Sequence, residues 1–392
     1  MNKILSRIKG DKVIWMVVIF LSLVSLLLVY SSTGALAYKK QGGNTEYYFI
    51  RHLIILVLGL VIMFGAHLIK YTIYARIANI LVILAIPVLG YTLFSGQEIN
   101  EASRWIVVPI INMSFQSSDL GKLALVIFLA RFLTVKQNDI KDFKKGFLPV
   151  MIFIGLICGL ILPANLSTSV LLFLTCVIML FIGRVSLKHL GQMLFVAITV
   201  LSIFLLILTN SSDQGRLGTW KKRIESFNGN NPELNYQSNQ AKIAIASGYP
   251  LGKGPGNSTQ RNFIPHPYSD FIYAIIIEEY GILGGTLVLL AYLILLFRAV
   301  RIAIKSPGTF GAFLALGLSL MLVFQAMVNM LVATDLMPVT GQPLPLISMG
   351  GTSLWFTSIS FGIILSVSKE IDKELPSDLL TENSNNKDSY EE

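Results

Sequence analysis

Ten apolar segments run through the 392-residue chain, at 13–30, 50–69, 77–94, 120–133, 147–162, 166–183, 190–208, 271–297, 310–332 and 352–367. Crossing the hydrocarbon core of a bilayer takes about 20 residues of helix, and each segment reaches that length alone or with its flanks. No water enters that core, so a spanning backbone must satisfy its own N–H and C=O groups, as a helix or a closed barrel. The expected fold is an all-α polytopic membrane protein of about ten transmembrane helices. Composition agrees: 54% of residues are hydrophobic, 14% are charged and the mean hydropathy is +0.67, which excludes a soluble enzyme.

The net charge of +9 acquires meaning from where the cations lie. With the N-terminus placed in the cytoplasm, eighteen of the 31 lysines and arginines flank the inner ends of the spans, among them Lys3 to Lys12, Lys136 to Lys145 and Arg298 to Lys305. The short outer loops hold Lys39, Lys40, Arg51 and Arg104. This is the positive-inside pattern of a multi-pass protein with both termini cytoplasmic, and it argues against nucleic acid as a partner. Lys3 to Lys12 followed by an apolar run and Ala35-Leu36-Ala37 imitates a secretory signal, but the run of about 18 residues exceeds a signal core of about 7–15. A retained first span is expected. Cys158 and Cys176 fall inside spans and read as small buried apolar residues.

Residues 1–368 read as one transmembrane domain whose single large outer loop, 210–269, separates the seventh and eighth spans. Within that loop Trp220, Ile224 and Phe227 recur at helical spacing opposite Lys221, Lys222, Arg223 and Glu225, the pattern of a helix in the headgroup region. A second helix is expected from Tyr236 to Ser247, stopped by Gly248. Residues 369–392 are polar and acidic and read as a disordered cytoplasmic tail.

The stretch 248–281, GYPLGKGPGNSTQRNFIPHPYSDFIYAIIIEEYG, organises the polar chemistry. A turn-rich loop runs into Asp270 and then into an apolar run holding Glu278 and Glu279. Ionisable groups beside or inside a span are functional candidates, because burying them uncompensated costs several kcal/mol. Lys122, Gln325 and Asn329 are further polar residues within spans, and Arg104 precedes the fourth. Each has a structural alternative: snorkelling, interfacial anchoring or bonding between helices. On a regular helix from Asp270, Glu278 stands about 80° and Glu279 about 180° round, so the helix is broken or the two acids point at different neighbours. Lys122 and Arg104 are the cations expected to neutralise them. Gly252 to Ser258 falls short of a Walker loop, though its amides with Lys253 and Arg261 could cradle a diphosphate. The segment PLPLISMGG, with Ser348, Gly350 and Gly351, interrupts the helical pattern and is expected beside Asp270, because irregular backbone at membrane depth must be buried in protein or line a cavity.

VYSS after the first span, EASRWI with FQSSDLGKLA, RIESF, YQSNQAKIAIASG, GKGPGNSTQ, DFIYAIIIEEYG, QAMVN and MPVTGQPLPLISMGGTS resemble, in order, the motifs of the SEDS (shape, elongation, division and sporulation) proteins, which include FtsW and RodA. GNS and YSS look closer to the division branch, FtsW. The resemblance implies a GT-C-like peptidoglycan glycosyltransferase in the bacterial cytoplasmic membrane, at the division septum, polymerising lipid II on the outer face beside a class B penicillin-binding protein and other divisome proteins. Asp270 matches the family's essential aspartate, which makes it the expected catalytic residue. Arg104, Lys122, Lys253, Asn257, Ser258, Arg261, Glu278, Glu279, Asn329, Ser348, Gly350 and Gly351 are the expected substrate-binding set. Departures are Pro265-His266 where members usually read PE, Tyr268 for a histidine, Gln116-Ser117-Ser118-Asp119 for QPSE, and Asn165 for the acid of QPDLGT.

The chemistry of such a transfer asks for a carboxylate to accept the proton of an attacking sugar hydroxyl, an effect typically of about 10²–10⁴-fold. Cations, or a divalent metal such as Mg or Mn, would steady the departing diphosphate. One inversion needs no second carboxylate nucleophile. Two other functions fit a polytopic bundle: a lipid II flippase, and a non-catalytic divisome scaffold.

Overall fold

The computed structural model describes residues 9–95, 97–99, 102–108, 113–210 and 235–374. Ten long helices carry the ten apolar segments: α1 (Lys12–Ser32), α3 (Thr45–Leu68), α4 (Tyr71–Ser95), α5 (Ser117–Val135), α6 (Leu148–Ile161), α7 (Leu166–Ile182), α8 (Leu187–Asn210), α10 (Ile272–Lys305), α11 (Thr309–Ala333) and α12 (Gly351–Glu374). Eight of these regions are long and apolar enough to cross a membrane. The other two are α7, 17 residues long, and α5, which carries Asp119, Lys122 and Arg131. Short helices α2 (Gly34–Gln41) and α9 (Tyr236–Gly248) complete the helical set among the described residues, with a π turn at Phe143–Phe147 and a 3-10 turn at Gln260–Asn262. The expected helix at Tyr236 is therefore present, while the one at Trp220 lies outside the described residues.

Two departures from the sequence expectation stand out. The connection between α4 and α5 holds a small antiparallel sheet, β1 (Gln97–Ile99), β2 (Ala102–Val108) and β3 (Met113–Gln116), so the fold is not purely helical. Lys369 to Glu374, expected to open the disordered tail, instead continue α12, and the rest of that expected tail lies outside the described residues. Lys369 is buried and its ammonium donates to the carbonyls of His67 and Leu68, satisfying the end of α3.

Helix ends are set by local chemistry. Asp11 caps α1 by accepting from the amides of Val13 and Ile14, and Arg298 on α10 grips the same carboxylate through Nε at 2.7 Å and Nη2 at 2.5 Å. Asn165 caps α7 through Thr168 N at 3.2 Å. An asparagine does this as well as an aspartate, which accounts physically for the missing acid at that position.

Burial ranks the helices. In the most apolar stretch of α12 78% is buried inside the protein, and 67% in α11, against 11% in α8, so α11 and α12 form the centre and α8 the periphery. Without a hydrophobic force between helices in lipid, close approach through small residues supplies the packing. At Gly362 of α12 a Cβ would meet the carbonyl oxygen of Met63 on α3 at 2.4 Å.

Helix α10 is broken at Gly281, after both glutamates, so Glu278 and Glu279 sit on one regular stretch and meet the second of the two expectations, facing different neighbours: Lys253 and Ser258 for Glu278, Ser31 for Glu279. Gly281 has φ 67°, and the amide of Ile282 bonds to the Pro250 carbonyl at 3.1 Å. The carbonyls of Glu278 and Glu279 accept from the amides of Lys253 and Gly254, each at 2.9 Å. The loop after α9 thus supplies hydrogen bonds that the broken helix cannot make for itself. At Gly281→Ala the left-handed backbone costs about 1–2 kcal/mol, and the Cβ would stand 2.3 Å from the Pro250 oxygen. The expected outcome is loss of most folded protein, read as monodisperse yield in detergent against wild type.

Candidate active site

The segment between α11 and α12 is irregular, and four helices bond to it directly, with a fifth behind one of them. Asn329 of α11 donates to the Gln342 carbonyl at 2.8 Å, Gln325 of α11 to Pro343 O at 2.9 Å, Tyr292 of α10 to Pro345 O at 2.5 Å and Ser25 of α1 to Ile347 O at 2.8 Å. The Gln342 amide reaches Thr168 of α7 at 2.6 Å, and His52 of α3 acts through Ser25. Leu344, Leu346 and Ile347 bury their side chains. Irregular backbone inside a bundle is stable only with this degree of internal satisfaction.

That segment in turn holds Asp270. Ser348 Oγ accepts from Leu344 N and donates to Ser269 O, each at 2.7 Å, and Met349 N donates to Tyr268 O at 2.9 Å. Asn329 donates to the backbone oxygen of Asp270 at 2.8 Å. The Asp270 carboxylate is half-buried. Its Oδ1 accepts from Ser269 Oγ at 2.7 Å, while Oδ2 accepts no hydrogen bond among the described residues and stands across from Gly341. One oxygen is oriented and the other is free, the arrangement a proton acceptor needs. Beside it Tyr268 shares a hydrogen bond of 2.9 Å with His266 Nδ1. Burial, followed by Tyr48 and Asp270, holds the Tyr268 hydroxyl above its ordinary range, so it stays protonated.

The remaining expected site residues divide into three groups. Lys122 is buried on α5 between Asp119 Oδ1 at 2.8 Å and Gln325 Oε1 at 3.1 Å, and through Gln325 it reaches Pro343 of the loop beside Asp270. The second group is built on Glu278, whose side chain is fully buried: Lys253 Nζ at 2.7 Å, Ser258 Oγ at 2.5 Å, and Thr259 through both N at 3.1 Å and Oγ1 at 2.9 Å all donate to it. Asn257 closes the same loop by donating to Lys253 O at 3.0 Å. In the third group Ser31, from the VYSS segment, donates to Glu279, and Arg261 Nη1 donates to Ser31 O at 2.9 Å. Gly351 opens α12, and Gly350 precedes it, where a Cβ would stand in ordinary contact with Ser353 Cβ at 3.8 Å.

One expectation is therefore corrected. Lys122 does not neutralise Glu278 or Glu279, because Asp119 holds it three residues away on its own helix; Lys253 takes Glu278, and Arg261 approaches Glu279 through Ser31. Arg104 lies in β2, and its side chain is outside the described residues. Lys253 and Ser258 are thereby committed to a loop anchor about 12 Å along the helix from Asp270, at 1.5 Å per residue.

Ser25, His52 and Tyr292 escaped sequence reading, because hydroxyls and a lone histidine inside apolar spans carry no periodic signal, and Gln342, within the MPVTGQPLPLISMGGTS motif, carried no mark of its partner Thr168. The donor order at Ser25 and His52 is fixed by geometry. Ser25 spends its hydrogen on Ile347 O, so His52 must donate through Nε2 to Ser25 Oγ, 2.8 Å away, and its Nδ1 has no partner among the described residues. His52→Leu is expected to destabilise the protein by about 1–2 kcal/mol, and His52→Gln, which keeps a donor at similar reach, to restore it; thermal unfolding in detergent reads both.

Among the described residues no three or more His, Cys, Asp or Glu side chains come together as a metal site. Asp270 alone does not make a dedicated cage for Mg or Mn, which would draw its ligands mainly from water and diphosphate. No step below is routed through a metal.

Comparison with known proteins completes the description. A family model described as "Cell cycle protein", FTSW_RODA_SPOVE, matches residues 11–373. The chain is 32% identical over 365 residues to stage V sporulation protein E of Bacillus subtilis, covering 92% of this chain and 97% of that one. It is likewise 32% identical over 367 residues to the probable peptidoglycan glycosyltransferase FtsW of Geobacter sulfurreducens, covering 92% and 95%. Among solved structures, a chain of a peptidoglycan synthase complex superposes with a TM-score of 0.71 at 24% identity over 92% of this chain and 98% of the other. Thermus thermophilus RodA superposes with 0.63 at 23% identity over 92% and 97%. With a match running from Asp11 to Lys373, the chain belongs to the FtsW, RodA and SpoVE family of cell cycle proteins.

Proposed function

We propose that this protein is a peptidoglycan glycosyltransferase that polymerises lipid II into glycan strands, with Asp270 as the general base. The observation that carries the reading is the Asp270 carboxylate, half-exposed, with Oδ1 fixed by Ser269, Oδ2 free and its backbone clamped by Asn329. Family membership and relatives named as peptidoglycan glycosyltransferases support the same chemistry.

In the reaction the 4-hydroxyl of one sugar attacks the anomeric carbon of another. Asp270 takes the hydroxyl proton, the new C–O bond forms, and the bond from the anomeric carbon to the diphosphate breaks with inversion. Arg261 is the cation best able to meet the diphosphate, being half-buried and using only Nη1 on Ser31. Lys122 is spoken for by Asp119 and serves the site by holding Gln325 and the loop beneath Asp270.

The chain is a membrane protein. The further placement belongs to this proposal: both termini cytoplasmic, Asp270 at the outer face, action at the septum in the division branch, and a class B penicillin-binding protein as cross-linking partner within the divisome. A structural relative drawn from a complex that couples polymerization and crosslinking supports a transpeptidase partner. The test is reconstitution of the wild type with its class B partner in vesicles containing labelled lipid II. A glycan ladder on a gel is the expected result. Labelled lipid II crossing the bilayer with no ladder would replace polymerisation by transport, and neither product would leave a scaffold.

A further inference from the structure

At the end of the bundle away from Asp270, a groove of about 290 Å³ opens between α4, α5 and α6. Ile83, Phe128, Phe132 and Phe153 line it together with two cations, Arg131 and Lys136. Arg131 is twelve residues along α5 from Asp119, about 18 Å at 1.5 Å per residue, so this groove is separate from the polar network beneath Asp270.

The two cations are poorly matched within the protein. The guanidinium of Arg131 contacts only the Arg76 carbonyl, at 3.4 Å, with no carboxylate in ion-pair range among the described residues. Lys136 meets Asp139 at 3.5 Å, but both side chains are more than 40% exposed, and such a pair contributes little. An apolar trough alone would take any acyl chain, and a pair of cations alone would take any anion. A membrane-embedded groove with both fits a molecule with an anionic phosphodiester and a hydrocarbon body.

We propose that the groove binds one molecule of anionic phospholipid, its phosphodiester on Arg131 and Lys136 and an acyl chain against Phe128, Phe132 and Phe153. Asn79 lines the same groove and supplies a further amide donor for the ester oxygens. The site touches none of the residues assigned to glycosyl transfer. Its role is to tie the α4, α5 and α6 ends together, and it stands or falls independently of the proposed activity.

The test is native mass spectrometry of the full chain in detergent, titrated with phosphatidylglycerol, with phosphatidylcholine of the same acyl chains and with inorganic phosphate. One phosphatidylglycerol should be retained saturably, with phosphatidylcholine and phosphate at least tenfold weaker. Arg131→Gln with Lys136→Gln should weaken phosphatidylglycerol at least tenfold, and Ile83→Trp should do so by filling the groove with both cations intact. Lys188→Gln, an exposed cation outside the groove, should change nothing. The two variants attack the headgroup and the chain separately, so either one that folds decides the matter. Retention unchanged in a folded variant, equal binding of phosphatidylcholine or phosphate, or equal weakening by Lys188→Gln would each overturn the site.

Discussion

Asp270→Asn should lower the turnover of lipid II into glycan by about 10²–10⁴-fold, the usual worth of a positioned general base, while leaving lipid II binding and partner binding in place. Asparagine keeps the volume, and its amide oxygen can still accept from Ser269 Oγ, so the clamps from Asn329 and Ser348 survive. What disappears is the lone pair on Oδ2 able to take up a proton. The loss should therefore appear in kcat with little change in KM, the signature of an interaction made only in the transition state. Asp270→Glu moves the carboxylate by one methylene, and a misplacement of that size costs about 10²-fold. A fall in KM-linked binding alone, with kcat intact, would show Asp270 to be a substrate contact.

Glu278→Ala carries the second large effect, and it falls on the fold. The carboxylate is fully buried and is the common acceptor for Lys253, Ser258 and Thr259. Removing one partner of a buried pair costs about 3–5 kcal/mol, and because Lys253 is 29% exposed the lower end, about 3 kcal/mol, is expected. The loop that covers the break at Gly281 would then lose its anchor. Glu278→Gln retains one acceptor but turns an NH₂ toward the donors, so it should fall between. Thermal unfolding in detergent, with proteolysis in the 253–260 loop, measures both. A wild-type melting curve for Glu278→Ala, coupled with lost lipid II binding, would move Lys253 and Glu278 from anchor to substrate site.

The ten helices were legible because a lipid solvent writes them into the sequence as long apolar runs, and the separate partners of Glu278 and Glu279 were legible because adjacent residues of a helix point about 100° apart, whereas the break comes later, at Gly281. Irregular backbone at 343–351 was equally plain, since prolines and glycines interrupt a helical pattern. Other features carried no such mark. The β1–β3 sheet is built from strands of 3, 7 and 4 residues, too short for alternation to show against the neighbouring spans. The partners of the buried charges depend on contacts far apart in sequence: Lys253 with Glu278 across 25 residues, Arg261 with Ser31 across 230, and Ser25 with Ile347 across 322. Nothing local distinguishes a lysine destined for a diphosphate from one destined for a glutamate, so the sequence presents Lys122 and Lys253 as substrate cations, whereas the fold gives each a carboxylate of its own. Arg261 keeps that reading because it meets only a serine.

The central claim is a single inverting transfer driven by one carboxylate, and the most direct measurement is a quenched single turnover of purified wild type on lipid II. The linkage in the product and the mass of the protein are read together. The account predicts a β-linkage, cleaved by a β-1,4-specific muramidase, and a protein of unchanged mass throughout. A retained α-linkage, or a protein carrying the disaccharide unit as a covalent adduct, would contradict it, because both require a carboxylate nucleophile where Asp270 is assigned to accept a proton.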